Sequence, residues 1–484
     1  SNGTTGNGQD DTAFIQAAIN YVKGAGNTYS LYIPEGVFRC TAPLNVDGAV
    51  RIVGLGVSPY DAGVRGNGSW VYFDHTGKGF NIDGASVMSG IELSKFGTMR
   101  NQPAPAPAWV PNAHDYDIYI DNADVYLDDM MLLNPTNGVF LTNGGYGRLE
   151  INRLRGQAFQ TMVRIDEAYD VVKIHNLHQW PFWQDNSDVH AYTKNNLDVI
   201  HMYRNDNPML TNIFTIFARS GMRFSQNAAG KTSKVHVVNA DFDRGSLGVF
   251  IDPTVTTGIT GQFDNITHQA ESGTTNSKAI FVQGNSSLID FGNFRSDLTA
   301  QNAIRVEGTG NRLTLAGSTV LLNYDQNGGN FSAIEVLSGN TVSIHGKPNI
   351  AGGVGVGGKY GGAGLIYVDE WRAYTPTITA ATGTITTVGT TVGRFKRFND
   401  TLEFAVDTTI TTNGTGAGAV RATVPDTVVT MSAVAAGREL AVGGKMLSGT
   451  LQAGAALCDI RNYDNTYPAS DGARLMINGS YQIA

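Results

Sequence analysis

Asp241, Phe242 and Asp243 alternate polar, apolar, polar, the spacing of an extended strand that turns both carboxylates to the same side. Two steps of strand rise put their Cα atoms about 6.6 Å apart. That separation suits a carboxylate pair in which one acid protonates a leaving glycosidic oxygen and the other activates water. Asp252, at the end of the next apolar run (GVFID), is a third candidate for the same work. The plainer alternative for Asp241 and Asp243 is solvation of a turn, or contact with Arg244.

A second set of residues has the chemistry of binding. Arg164, His190 and Arg223, with Asp166 nearby, offer donors for carboxylates or other acidic substituents; the alternative is that the arginines merely pair with acids such as Asp166. His178, Trp180 and Trp183 lie in HQWPFWQD, where rings could pack on the apolar face of a pyranose. Arg204 and Asp206, with His201, fall in VIHMYRNDNPMLTN, which reads as a loop inserted around Asp198 to Asn207. Trp109, in the proline-rich RNQPAPAPAWVPN, reads as loop packing or a subunit contact. Only Cys40 and Cys458 are present, with no CxxC and no Cys/His cluster, so cysteine-based zinc sites and disulfide frameworks are not expected; no metal or cofactor is assigned to the candidate residues.

These residues need elements to hold them, and a repeat supplies the elements. The pattern apolar-x-apolar-x-Asn-apolar aligns Asn176, Asn212, Asn239, Asn265 and Asn293, with Arg153 and Asp129 in the same place earlier. About ten residues after each comes a second apolar run, such as MVRI, GMRFS, GVFID and AIFV. A turn of roughly 25 residues cannot bury its apolar face alone, so successive turns must stack with parallel strands about 4.8 Å apart. The expectation is an all-β chain whose core is a parallel β-helix of about nine rungs. The asparagines are expected at an inward corner, each amide bonded to those above and below.

Stacking places distant residues in columns. One outward column reads Met131, Arg155, His178, Phe214, Asp241, Thr267 and Arg295; a second reads Phe140, Arg164, His190, Arg223, Phe250, Phe281, Arg305 and Glu335. Beside the second stand Asp166, Tyr192, Ser225 and Asp252, on the assumption that VHAY is a strand. Near the start, Ile15, Ala18, Ile19 and Val22 define one face of a short amphipathic helix suited to cap the end of the stack.

The 484 residues are 41% hydrophobic and 16% charged, with net charge −8. That excludes a disordered polymer and gives no electrostatic footprint for nucleic acid. No run approaches the ~18 apolar residues of a membrane span. The 59 glycines have no collagen period and fit many tight turns.

The segment NGQDDTAFIQAAIN followed by LYIPEGVFRCTAPLNV resembles the opening motif of the pectate-lyase-like right-handed β-helix superfamily. WRAYTPTITAATG with GRFKRFNDTLEFAV resembles C-terminal domains of bacteriophage tail fibres and tailspikes. Together they resemble a phage tailspike polysaccharide depolymerase. The expected layout is an opening segment with its capping helix over 1–50, the β-helix over 51–360, a linker over 361–370 and a β-sandwich over 371–484. The resemblance implies a homotrimer on the virion tail, joined to tail or baseplate through a part not present in this chain, and a bacterial surface polysaccharide (capsule, O-antigen or exopolysaccharide) as partner. Glycoside hydrolysis is the expected activity. A lyase acting by β-elimination on a uronate, with Arg164 or Arg223 offsetting the charge, and a non-catalytic receptor-binding spike or adhesin are the alternatives. The resemblance transfers no catalytic residue.

Overall fold

The period-two runs form parallel ladders in the computed structural model, which describes residues 8–25, 29–58, 67–84, 90–143, 148–271, 273–398, 400–429 and 433–483. Asn7 of the opening motif lies outside the described residues. Strand Lys173–Gln179 pairs in parallel with Met209–Ile216, that strand with Val235–Asp243, and the next with Thr260–Gln269. A second parallel sheet stacks twelve strands from Leu44–Val46 to Tyr360–Gly361. This is a parallel β-helix. Two compact units divide the chain, residues 1–343 with 348–366 and residues 344–347 with 367–484.

Each rung of the first unit has three sides, because the long strands bend partway. The bend falls at Asp129, Arg153, Asn176, Asn212, Asn239 and Asn265, whose φ values lie between +53° and +59°. A left-handed backbone costs most residues about 1–2 kcal/mol, and asparagine tolerates it best among those with a side chain. Asn212 Nδ2 donates to Asn176 Oδ1 at 3.1 Å, Asn239 to Asn212 at 3.1 Å and Asn265 to Asn239 at 2.7 Å. The ladder therefore exists, but the expectation that it points inward is wrong: all four side chains are exposed. Backbone handedness selects the residue type there, and the amide chain on the surface follows from it. Asn293 keeps the same place in the register, opposite Asn265, but without the left-handed φ, and donates instead to Asp264, at 3.2 Å.

The sequence reading also misplaces one insertion. VHAY belongs to helix α2 (Ser187–Asn196), whose N-cap Asn186 accepts from the Asp188 and Val189 amides. The second-sheet strand of that rung is Asp198–Met202, the segment expected to be a loop. His201, not His190, therefore stacks between Arg164 and Arg223, and Tyr203 takes the position assigned to Tyr192. The extra residues of the long rung precede the strand and include α2.

Helix α1 (Thr12–Gly24) buries Ile19 and Val22. Gln16 reaches the rim of the second sheet, accepting from the Asn45 amide (2.8 Å) and donating to the Asn45 carbonyl (2.9 Å). One side-chain amide thus satisfies an edge residue that has no strand beneath it. At the far end Tyr360–Gly361 pairs with Ile334 and Glu335, and strand Leu365–Tyr374 occupies most of the stretch expected as linker. In the second unit Thr387–Phe398, Thr401–Thr412, Ala473–Gln482, Ala433–Glu439, Met446–Leu451, Leu457–Asn462 and Ala417–Thr423 pair antiparallel in that order. They enclose a core that includes Leu402, Phe404, Ile460, Leu475 and Ile477.

Candidate functional site

The column through Asp241 is built as the repeat dictates. Met131, Arg155, His178, Phe214, Asp241, Thr267 and Arg295 are rung-to-rung partners in that order. Asp241 and Asp243 flank Phe242, which is 1% exposed, so both carboxylates leave the same side of the strand. The inward ring sets the direction of the outward acids. No ion pair or hydrogen bond with another side chain engages either carboxylate among the described residues. Burial, and next the charge of Asp243, push the Asp241 carboxyl above its ordinary range. Burial also raises Asp243, opposed by the Arg244 amide and guanidinium. Two carboxyls held above their ordinary range on one face are an arrangement suited to acid–base work.

Aromatic rings flank the pair one and two rungs below. Phe214 is the rung partner of Asp241; its ring lies 5.1 Å from His178 and 6.0 Å from Trp180, and His178 lies 5.8 Å from Trp180. Trp180 is 41% exposed. A hollow of about 390 Å³ opens here, lined by Arg155, Asn176, His178, Asn212 and Phe214. Arg155 is held by Asp129 at 3.1 Å, so the hollow presents rings and amides more than free charge.

Helix α2 forms the other flank. His190 stacks on Phe217 at 3.7 Å and 14° between planes, and Ser246 Oγ donates to the Lys194 carbonyl at 2.9 Å. Lys194 Nζ bonds Glu271, and Glu271 takes Arg244 Nη2 at 2.5 Å. His190 thus reaches the surroundings of the acid pair through the insertion and not through the column assigned to it.

The remaining candidates go elsewhere. Arg164 and Arg223 are on the second sheet. Arg164 lies over the rings of Phe140 and Tyr203, 4.8 Å from each, and 3.4 Å from Asp166. Asp166 accepts from Asn227 at 2.7 Å. Arg223 is divided between Asp198 (3.0 Å) and Asp252 (2.8 Å). Asp252 is fully buried and also accepts from Ser225 Oγ and from the Thr254 amide and hydroxyl. Burial raises its carboxyl, but those bonds outweigh burial and hold it below the ordinary range. It is not brought to the pair: the strand Leu247–Ile251 before it separates it by about 16 Å from the turn after Asp243. Arg204 and Asp206 bond one another at 2.9 Å, with Arg204 over Tyr169, at the corner that follows the second sheet. Trp109 is 5% exposed against Phe159 and Trp183, its Nε1 donating to the Pro103 carbonyl. It is loop packing, and Trp183 shares it.

Sequence reasoning missed Glu271, Lys194 and Phe217 as neighbours of the pair. Phe214 stood in the column and was the one available signal. No group of three His, Cys, Asp or Glu able to hold a metal occurs among the described residues.

No family model matches the chain, and no curated protein matches it. Solved structures do. The Dettilon tailspike protein is similar at 12% identity and TM-score 0.49, over 98% of this chain and 91% of that one. The Agl-KA catalytic domain is similar at 13% identity and TM-score 0.38, over 74% and 66%. PfbA, a surface adhesin of Streptococcus pneumoniae, is similar at 12% and 0.38, over 82% and 95%. The fold itself rests on the parallel ladders described above.

Proposed function

We propose that this chain is a polysaccharide depolymerase that binds a bacterial surface glycan and cleaves it internally by glycoside hydrolysis. The observation that supports this best is the Asp241–Asp243 pair, without an ion pair among the described residues, half-buried and next to the His178–Trp180–Phe214 shelf on the two rungs below. Asp241, with the Asp243 charge beside it, is the member that holds a proton and donates it to the glycosidic oxygen as the C–O bond breaks. Asp243, beside Arg244, accepts a proton from the water whose oxygen bonds to the anomeric carbon. Trp180 and Phe214 offer their faces to a sugar ring.

Elimination on a uronate would need an arginine free to offset the developing charge. Arg223 is engaged by Asp198 and Asp252, and Arg164 by Asp166, which favours hydrolysis. The sequence resemblance adds the setting: a homotrimer carried on a virion tail.

The test is incubation with capsular, O-antigen and exopolysaccharide preparations, followed by size exclusion. Shortened chains with new reducing ends and no rise in ultraviolet absorbance are expected. Absorbing, unsaturated ends would make it a lyase; glycan retained but uncut would make it a binding spike or adhesin. Light scattering should give three chains of 51.6 kDa per particle, and one chain per particle rejects the trimer.

A further inference from the structure

Arg244 follows Asp243 directly and has every opportunity to neutralise it. Its guanidinium is instead turned to Glu271, at 2.5 Å, and lies 4.9 Å from the centre of the Phe217 ring. Its backbone φ of +48° marks the turn that allows this departure from the strand. Glu271 is itself fixed from the other side by Lys194 of α2, whose carbonyl is tied to Ser246. Two cations share the one carboxylate of Glu271, and among the described residues neither forms an ion pair with the Asp carboxylates. His190 faces the same cluster from α2, stacked on Phe217 and 3.4 Å from Asp185. His268 lies behind the strand, the rung partner of Phe242 and buried in the interior.

We propose that Glu271 is a positioning residue which, by holding Arg244 against Phe217, withholds that guanidinium from Asp243 and leaves the acid pair open. Without it, two effects act in the same direction. A nearby negative charge is lost, and Arg244 is released to pair with the adjacent Asp243 carboxylate. Both favour ionisation of Asp241 and Asp243. This is consistent with the upward displacement of both carboxyls in the intact cluster. The inference rests on the hydrolytic reading for its consequence in catalysis, though not for its measurement.

The experiment is an infrared pH titration of the full chain, in which the protonated-carboxyl stretch of the pair is assigned by its loss in Asp241→Asn and Asp243→Asn. Glu271→Leu should move the titration of that band to lower pH, by about one unit or more. Arg244→Met, at a half-exposed site, should not lower it. In the Arg244→Met background, Glu271→Leu should have less than half of its single-variant effect. If the band does not move in Glu271→Leu, or moves as far without Arg244 as with it, the inference is overturned. Glu271→Gln, which keeps the shape, serves if the leucine variant does not fold and should shift the band in the same direction. With a cleavable glycan, Glu271→Leu should shift the alkaline limb of the rate profile by the same amount, about tenfold in rate per unit. Absence of cleavage by the unaltered protein would defeat the hydrolytic reading and leave the infrared result to decide the role of Glu271.

Discussion

Asp241 and Asp243 differ in what surrounds them, and the difference fixes their expected behaviour. Asp241 must carry a proton to act as acid, and burial with the Asp243 charge raises its carboxyl. Cleavage should therefore persist above the ordinary carboxylate range and fall as pH rises through the displaced value. A rate profile whose alkaline limb lies in the normal range of aspartate would contradict the assignment. Asp241→Asn should reduce cleavage by about 10²–10⁴-fold while glycan binding, measured by affinity electrophoresis, is retained. Trp180→Ala should raise KM more than it lowers kcat, because the ring touches substrate away from the broken bond. Much of this was legible in the sequence: Asp241, Phe242 and Asp243 announce their directions by alternation, and the rung period places Phe214 below them. Glu271 was not, because it stands beyond the end of strand Thr260–Gln269, where no period constrains direction.

At the scale of elements, the left-handed bend makes a prediction that separates backbone from side chain. Asn212→Gly keeps the conformation and loses only two exposed amide bonds, whereas Asn212→Val loses the same two and must hold a branched side chain at φ +56°. Valine should destabilise the β-helix by at least about 1 kcal/mol more than glycine, read as the difference between their urea unfolding midpoints. Equal midpoints would mean that the bend does not select the residue. Phe242→Ala, within the same strand as the acids, should cost about 3–5 kcal/mol. Helix α2 shows where element reading stops. A rung of fixed length demands a strand near VHAY, yet Asn186 and Ser187 with the polar run HAYTKNN carry a helix start and an exposed face. Local capping chemistry prevails over the period there, and His201 and Tyr203 stand where the period alone puts His190 and Tyr192.

For the whole molecule, burial holds His75, His114, His190, His201 and His268 near pKa 4, against an ordinary 6.5. The unfolded chain takes up protons below pH 6.5 that the folded chain refuses until about pH 4. Their contribution to stability is thus complete above 6.5 and is lost as pH falls through that interval. The melting temperature should be clearly lower at pH 4.5 than at pH 7; an unchanged value would mean that these imidazoles are not sealed from solvent. The asparagine ladder has one more implication, for how such a molecule changes in size. Since each bend presents the same hydrogen-bond spacing upward and downward, the stretch from one ladder residue to the next is an interchangeable module. Duplicating or excising a complete one leaves matched joints on both sides, so the molecule can be lengthened or shortened in increments of about 4.8 Å, whereas a cut made within a module leaves the joints unmatched.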